Sequence, residues 1–428
     1  MKEIIEKMIR PIRPPIANSL LPDRNKSWPE RRDQFLIRIF KYLTSYFRQE
    51  TMVNFFVTLT MACDLECRYC YGEVCDCFDD FDDGIAVDYD VPETVSYETS
   101  ALVDFISKDK DAAVIFYGGE PLLELEKMKE MMDALPAKAF LLHTNGTLLD
   151  QVPAEYLKRL HTISISIDGG RELTDYYRGG GVYDLITKNA NIAREKGFTG
   201  EIIARMTVQE ETDIYESVMH LFENPDFRFD SVHWQLNALF WRNDYKRRRN
   251  GFLDWIGHSY NPGIQKLIGA WISRMKSDGT VLQMYPFVNV MNSMLRDEKT
   301  HLRCGAAWKE YNVQTDGKLS PCPVMSGMSG YYAGDIYNGR PDQLRVIHVS
   351  GECLKCDILD VCGGRCLYAN ATMKWGVSGF HEVCETVRFL VNALKEKKPE
   401  IEKLIEDGVI RLEDFSKSIE YNSCEIIP

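Results

Sequence analysis

The 428-residue sequence has no long apolar run, no internal repeat and no low-complexity tract. No stretch approaches the ~18 consecutive apolar residues that a membrane-spanning helix needs. The opening residues Met1, Lys2 and Glu3 introduce charges where a secretory signal peptide would be apolar. We therefore expect a soluble, cytoplasmic protein that has no membrane partner.

The sequence also lacks a surplus of basic residues. Lys and Arg together number 51 and Asp and Glu 64, which gives a formal net charge of −13. Nucleic acids and anionic membranes are bound through excess Lys and Arg, so nucleic acid is not expected as a partner. The one basic cluster, 246–249, is interpreted as a solvated face or, alternatively, as a dock for an acidic peptide or an electron donor.

Cysteine, by contrast, is abundant, with 13 residues. Because a reducing compartment is expected, we predict that these thiols bind metal and do not form disulfides. Cys63, Cys67 and Cys70 form a C-x3-C-x2-C triplet directly after the apolar run 54–60. Three thiolates on one short loop can hold three irons of a [4Fe-4S] cluster and leave the fourth iron open to a small ligand. On the triplet alone, a zinc site remains the alternative.

Short apolar strands alternate with amphipathic helical segments between Val53 and about Asn237, a pattern typical of parallel βα units. We predict strands at 54–60, 112–117, 138–143, 162–167, 200–208 and 230–237.

A helical segment is expected over 1–52, where 27–30 is typical of a capping box. The insertion 72–92, with Cys75, Cys77 and an acidic run, is interpreted as a solvated loop or as a lid selective for a cationic substrate.

The triplet, including Tyr69 between its last two cysteines, resembles the radical S-adenosylmethionine (SAM) enzymes, and by this resemblance Tyr69 is a candidate cofactor-binding residue. The resemblance implies an α/β fold, namely a partial (β/α)6 TIM-like radical SAM barrel over 53–240 with its chemistry at the carboxyl ends of the strands. It also implies that SAM binds the open iron, and that reduction splits SAM into methionine and a 5′-deoxyadenosyl radical that abstracts hydrogen from the substrate.

Other strand ends carry residues that the radical SAM family uses to hold SAM. The segment GGEP follows the second predicted strand, where glycines allow close backbone approach and a carboxylate can accept from an ammonium group. By resemblance, Gly118, Gly119 and Glu120 meet the SAM amino group. Similarly, Ser166 would contact the ribose and Arg205 would pair with the SAM carboxylate. For each residue taken singly, an ordinary strand-end hydrogen bond is the alternative.

Three further polar residues lie at predicted strand ends. Asn145 and Asp168 place polar groups where an apolar barrel interior would exclude them, and Gln235 on the sixth strand is a weaker candidate.

The C-terminal third contains a second cysteine pattern, C-x12-G-x4-C followed by C-x2-C-x5-C-x3-C and one further cysteine. This spacing resembles the seven-cysteine SPASM domain, which in its family holds two auxiliary [4Fe-4S] clusters. The resemblance implies that one cluster is ligated by Cys353, Cys356, Cys362 and Cys384, and the other by Cys304, Cys322 and Cys366. Segment 296–303, where some relatives supply a fourth ligand, has no cysteine, so that cluster is predicted to have an open iron or an unusual ligand. Zinc is the alternative.

The predicted order of domains is the helical segment 1–52, the barrel 53–240, a bridging helical region 241–303, the cysteine-rich SPASM domain 304–385, and a C-terminal helix and tail 386–428. Cys424 in the tail is interpreted as a free thiol.

SPASM-bearing enzymes act mostly on ribosomally made peptides and proteins. The resemblance therefore implies oxidative modification of a peptide or protein, such as a crosslink, a thioether or a related C–H functionalisation. The auxiliary clusters would accept the released electron, and a low-potential ferredoxin or flavodoxin type donor would supply the first one. The alternatives are a dehydrogenase of a small alcohol or cyclitol, a sulfatase-maturase-like enzyme, and a non-catalytic iron or zinc binding protein. Pro323 counts against the sulfatase maturases, which have an aspartate there.

Overall fold

The structure is a computed structural model that describes residues 53–70, 85–237 and 242–416. Three predictions lie outside these residues: the helical segment 1–52, most of the insertion with Cys75 and Cys77, and the tail with Cys424.

Strands of buried β-branched, aromatic and aliphatic residues form the centre of the molecule. In the described ranges they are β1 Asn54–Thr60, β2 Ala113–Gly118, β3 Ala139–Thr144, β4 Leu160–Ser166, β5 Glu201–Val208, β6 Ser231–Leu236, β7 Gln283–Met284, β8 Glu310–Val313, β9 Lys318–Ser320 and β10 Gly334–Asp335. The six strands predicted from the sequence are β1 to β6, each within two residues of its predicted bounds.

These strands form one sheet in the order β10-β9-β8-β1-β2-β3-β4-β5-β6-β7. Strands β1 to β7 run parallel, and β8 is parallel to β1 on its other side. Strands β9 and β10 complete an antiparallel meander with β8. Within the described residues the sheet has two edges and is not closed, so the prediction of a partial α/β barrel is confirmed.

The helices cover the outer face of this sheet or follow it in the chain. They are α1 Thr99–Ile106, α2 Leu125–Ala134, α3 Ala154–Leu157, α4 Arg171–Arg178, α5 Val182–Glu195, α6 Ile214–Glu223, α7 Arg242–Trp255, α8 Asn261–Asp278, α9 Tyr285–Leu295, α10 Leu359–Cys362, α11 Leu367–Thr372 and α12 Gly376–Glu406. Helix α12 packs against α8 and α9 and crosses the predicted boundary at 386. None of the helices described combines the length and apolar character that crossing a bilayer requires.

Alternation along the strands separates two apolar layers. Phe55, Val57 and Leu59 of β1 face the large core beneath the helices. The opposite, inner face contains a smaller cluster, in which Phe56 packs with Ile115 and other residues of β2 and β3. The inner face therefore carries a small apolar cluster, and polar side chains lie both at the start of the strands, where Asn54 of β1 bonds Glu310 of β8, and at their carboxyl ends.

Candidate functional site

The cysteine triplet follows β1 at the carboxyl edge of the sheet. Cys63 is exposed, and Cys67 and Cys70 are half-buried. The Cys70 amide donates to the Cys67 carbonyl at 2.9 Å, and the Arg68 amide donates to the carbonyl of Tyr177 on α4 at 2.9 Å. The loop is thus tied to the barrel, and its first thiol lies open to solvent.

Two glycines at the end of β2 allow the loop to lie against the sheet. A Cβ on Gly118 would lie 2.2 Å from the Thr60 carbonyl oxygen, and one on Gly119 would lie 2.2 Å from the Ala62 carbonyl oxygen. The Gly119 amide donates to Thr60 at 2.9 Å, and the Glu120 amide donates to Ala62 at 2.8 Å. Only glycine permits this approach, so the GGEP segment also has a structural role in positioning the cysteine loop.

Glu120 is fully buried and joins the ends of β2 and β3. Its carboxylate accepts from the Asn145 amide at 2.7 Å, the Thr144 hydroxyl at 2.8 Å and the Leu122 amide at 3.0 Å. Burial raises the pKa of Glu120 to about 7, and these hydrogen bonds oppose the rise. Much of the hydrogen-bonding capacity of the carboxylate is therefore used within the protein.

Asp64, inside the triplet, links the cysteine loop to the segment after β3. It accepts from the Asn145 amide nitrogen Nδ2 at 2.7 Å and from the Thr147 hydroxyl at 2.6 Å. Asn145 Nδ2 also lies 3.8 Å from the sulfur of Cys63. The predicted polar residue Asn145 therefore orients the loop and lies beside its exposed thiol.

Tyr69 is held by a buried ion pair. Its hydroxyl donates to Asp168 at 2.6 Å, and Arg178 donates to the same carboxylate at 2.8 Å and 3.1 Å. Asp168 is 0% exposed and Arg178 6% exposed. Burial acts to lower the pKa of Arg178, but the charges of Asp168, Tyr69 and Cys67, together with the hydrogen bonds to Asp168, raise it overall. Burial raises the pKa of Cys67 to about 11, and the Arg178 charge opposes that rise.

The inner face opens at the carboxyl ends of the strands. Side chains there are half-buried although most residues of the same strands are buried: Tyr117 on β2, Ser166 on β4, Arg205 and Thr207 on β5, and Gln235 on β6. Ser166 and Arg205 are direct partners in the register of β4 and β5. The predicted SAM contacts Ser166 and Arg205 and the weaker candidate Gln235 therefore line one opening.

His143 on β3 is a further inner-face residue, which the sequence analysis missed. It lies 3.5 Å from Arg205 between Nδ1 and Nη1, and its ring packs against Tyr117 and Phe56. Burial, followed by the charges of Arg205 and His233, holds the pKa of His143 well below its usual value. The imidazole is therefore neutral and can accept from the Arg205 guanidinium.

Three C-terminal thiols form a first group. Burial raises the pKa of Cys304 well above its usual value, and the charges of Glu310, Cys322 and Cys366 add to this rise. Burial, followed by Cys366, raises the pKa of Cys322 to about 12. These mutual effects indicate that Cys304, Cys322 and Cys366 lie near one another, and they are the three cysteines that the resemblance assigns to one cluster.

Four further thiols form a second group. Burial raises the pKa of Cys353 to about 11, and the charges of Cys362 and Cys356 add to the rise. Burial also raises the pKa of Cys384 to about 12, a rise to which Cys362, Cys353 and Cys356 contribute. The charge of Cys366 acts on Cys353 as well, so the two groups are neighbours.

The second group has polar partners on nearby helices. Asn370 of α11 donates to the Cys353 sulfur at 3.4 Å, and Arg388 of α12 donates to the Cys356 sulfur at 3.6 Å. Hydrogen bonds to ligand sulfurs are one of the means by which proteins adjust cluster potentials. The ten cysteines in the described ranges form no disulfide.

The two sets of C-terminal cysteines provide ligands of the type and number that iron–sulfur clusters need. In residues 53–70, 85–237 and 242–416, no three His, Cys, Asp or Glu side chains are arranged to hold a metal ion as they stand. A four-iron cluster is larger than one ion, and its ligands surround it at a distance from one another. Sets of three and four thiols on separate loops could hold such clusters.

Asp64 and Arg178 were not identified as site residues from the sequence. Asp64 lies within the triplet, but nothing in the spacing of the neighbouring residues marks it as a site residue. Arg178 ends α4 just before the glycines 179–181, which resembles an ordinary helix end. Asp64 and Arg178 both bond residues that are distant in the sequence or outside their own element, and such contacts cannot be identified from the spacing of neighbouring residues.

A family model described as the Radical SAM superfamily matches residues 57–222. An uncharacterised protein of Methanothermobacter thermautotrophicus is 32% identical over 161 residues, which cover 35% of this chain. That match spans 55% of the relative, about half its length. A pre-heme d1 synthase of Dinoroseobacter shibae is 27% identical over 164 residues, 37% of each protein.

A solved structure of anSMEcpe, with bound AdoMet and the Cp18Cys peptide, has a similar fold. The TM-score is 0.60 at 17% sequence identity, and the comparison covers 83% of this chain and 99% of that chain. Because the barrel region 53–240 is less than half of the chain, a coverage of 83% extends into the region that follows it. Residues 57–222, which run from β1 into α6, therefore match a radical SAM domain.

Proposed function

We propose that this enzyme oxidatively modifies a ribosomally made peptide or protein, and that two auxiliary [4Fe-4S] clusters accept the electron released by the substrate. The product would contain a crosslink, a thioether or a related functionalised C–H position. One observation carries the proposal: the C-terminal thiols gather into neighbouring groups of three and four. Strand β8 lies between Cys304 and Cys322 in the chain and pairs with β1 in the sheet.

Cys63, Cys67 and Cys70 are the proposed ligands of the SAM-binding cluster, and SAM bound there supplies the 5′-deoxyadenosyl radical. Gly118 and Gly119 hold their loop against the sheet. The half-exposed ends of β4 and β5 then present Ser166 and Arg205 to the rest of the ligand. A guanidinium in this place would bind a carboxylate through a charge-assisted hydrogen bond.

Tyr69 and Glu120 have roles beyond direct SAM contact in this proposal. Asp168 fixes the Tyr69 hydroxyl at 2.6 Å, which orients the aromatic ring beside the cysteine loop. Glu120 fixes Asn145, whose side-chain amide reaches the loop through Asp64. Both residues would keep the loop in one geometry as SAM binds.

A solved structure with a similar fold supports a peptide as the substrate. anSMEcpe holds the Cp18Cys peptide together with AdoMet. Pro323 follows Cys322 in this chain, and proline has no carboxylate that could take a proton from a substrate serine or cysteine. We therefore favour a crosslink, a thioether or a related C–H functionalisation over the serine or cysteine oxidation that sulfatase maturases catalyse.

Anaerobic reconstitution tests the proposal. The full chain is loaded with iron and sulfide, reduced in the presence of SAM, and incubated with a small cysteine-rich or aromatic-rich peptide encoded beside its gene. Mass spectrometry should detect 5′-deoxyadenosine and a peptide that has lost hydrogen. If 5′-deoxyadenosine forms with a small alcohol or cyclitol as substrate and never with peptides, the dehydrogenase alternative is correct.

A low-potential ferredoxin or flavodoxin is the proposed physiological donor. Replacing the chemical reductant by reduced flavodoxin should sustain turnover in the same assay. If 5′-deoxyadenosine forms with the chemical reductant but not with reduced flavodoxin or ferredoxin, another kind of donor is needed.

A further inference from the structure

The group formed by Cys304, Cys322 and Cys366 has one thiol fewer than a [4Fe-4S] cluster has irons. A carboxylate lies beside it. Glu310 on β8 is only 7% exposed. Its side chain packs against Gly305, the residue that follows Cys304. A buried acid therefore lies beside this group of thiols.

Backbone geometry brings Glu310 to this position. The Glu310 amide donates to the Gly305 carbonyl at 2.8 Å, and the Ala307 amide donates to the Glu310 carbonyl at 3.0 Å. Gly305 has a φ of +79°, and a Cβ built there would lie 3.0 Å from Cγ of Glu310. The residue next to Cys304 is thus a glycine against which the Glu310 side chain packs.

The sheet fixes the direction of the Glu310 side chain. Glu310 is the register partner of Asn54 on β1, and Asn54 Nδ2 donates to Glu310 Oε1 at 3.1 Å. Two positions on, Asn312 donates to the Ser320 hydroxyl at 3.2 Å, and Ser320 in turn donates to the Cys322 carbonyl at 3.0 Å. The face of β8 that carries Glu310 therefore also contacts the strand that leads to Cys322.

We propose that Glu310 is the fourth protein ligand of the cluster held by Cys304, Cys322 and Cys366, an inference that rests on the proposed auxiliary clusters. Carboxylates ligate iron in other proteins, and iron–sulfur clusters accept ligands other than cysteine. Iron cations would also offset the repulsion between three thiolates and a carboxylate in a buried place. This cluster is closed in our account, so substrate does not bind to its iron.

The test uses the full chain with Cys63, Cys67 and Cys70 replaced by alanine, because the SAM-binding cluster has an open iron of its own. This background should take up about eight irons per chain, four for each auxiliary cluster. Mild oxidation with ferricyanide removes an iron that lacks a protein ligand and leaves a [3Fe-4S] cluster with a distinctive electron paramagnetic resonance (EPR) signal. The background is compared with Glu310→Gln, Glu310→Cys and the control Glu298→Gln, an exposed acid six positions before Cys304.

With Glu310 present, oxidation should give little [3Fe-4S] signal, whereas Glu310→Gln should give about one [3Fe-4S] cluster per chain. Glu310→Cys should restore resistance to oxidation, which guards against a merely misfolded glutamine variant, and Glu298→Gln should behave as the background does. Equal signals from the background and Glu310→Gln, or a large signal from Glu298→Gln alone, would overturn the assignment while the clusters themselves stand. A background protein without iron would overturn both this inference and the proposed auxiliary clusters.

Discussion

The two cysteine regions of this enzyme differ in how far they admit solvent. The loop after β1 has an exposed first thiol, Cys63, at the open end of the strands. In the C-terminal region, Cys353 and Cys362 are buried. The other five C-terminal cysteines are half-buried, and none of the seven is exposed as Cys63 is.

This contrast matches two kinds of chemistry. A cluster that binds SAM needs an iron that a ligand can reach, and a cluster that only carries electrons works best shielded from water and oxygen. In our proposal, close backbone contacts at Gly118 and Gly119 position the loop that holds the first cluster. Asn370 and Arg388 donate to sulfurs of the cysteines proposed to hold the second kind. The predictions that follow separate the two regions, beginning with the largest effect.

Replacing Cys67 should abolish activity altogether. Cys67→Ala removes one of three ligands from the SAM-binding cluster, so 5′-deoxyadenosine release should fall to the level without enzyme. The matched variant Cys356→Ala affects an auxiliary site and should preserve some uncoupled 5′-deoxyadenosine release while stopping peptide product. Chromatography and mass spectrometry measure the two products. Full product formation by Cys356→Ala would show that the C-terminal region is merely structural.

Removing Arg178 should cause the largest loss of stability at the loop. Arg178→Met leaves the buried Asp168 charge without its cation, which should cost about 3–5 kcal/mol in the free energy of unfolding. The double variant Arg178→Met/Asp168→Asn should recover part of this loss, because no charge is then left unpaired. Urea unfolding under anaerobic conditions measures both. A single variant as stable as wild type would mean that the pair contributes nothing.

Adding one methyl group at Gly119 should displace the cysteine loop. Its Cβ would lie 2.2 Å from a backbone oxygen of Ala62, so Gly119→Ala should cost about 3 kcal/mol of stability and weaken SAM binding. Gly170→Ala is the control, because nothing lies within 4 Å of a Cβ at that position. Thermal unfolding and SAM titration of both variants provide the comparison. Similar results for the two would contradict the structural role of GGEP.

Glu120 should give a smaller, pH-dependent effect. Its pKa is about 7 in the folded protein, above the usual value near 4.5, so the folded state binds the proton more tightly than the unfolded state. Stability should therefore fall by about 2 kcal/mol as the pH rises from 5 to 8. Glu120→Gln should be less stable overall but should lack this slope. Urea unfolding of the metal-free chain across that range tests the prediction, and parallel curves for the two proteins would refute it.

Much of the fold could be predicted because its signals are local. The bounds of β1, 54–60, were predicted as observed, and β4 begins only two residues before its predicted start. Parallel βα alternation and the position of cysteines at a strand end were enough to place the loop at the mouth of a partial barrel.

The joining of β8 to the free side of β1 could not be predicted. Glu310–Val313 is a four-residue strand far along the chain, and only its pairing with Asn54–Thr60 reveals that it extends the sheet. The ion pair of Arg178 with Asp168 was missed for a similar reason, since its parts lie on α4 and after β4. Spacing along a sequence identifies ligands, but the residues that orient them are found through contacts between distant segments.

The count of iron in the intact chain tests the central claim most directly. Three clusters require about twelve irons and as many sulfides per chain after anaerobic reconstitution, and SAM should alter the EPR signal of only one reduced cluster. This is the result that the account predicts. About four irons per chain would leave the C-terminal thiols without clusters, and zinc in place of iron would contradict the account as a whole.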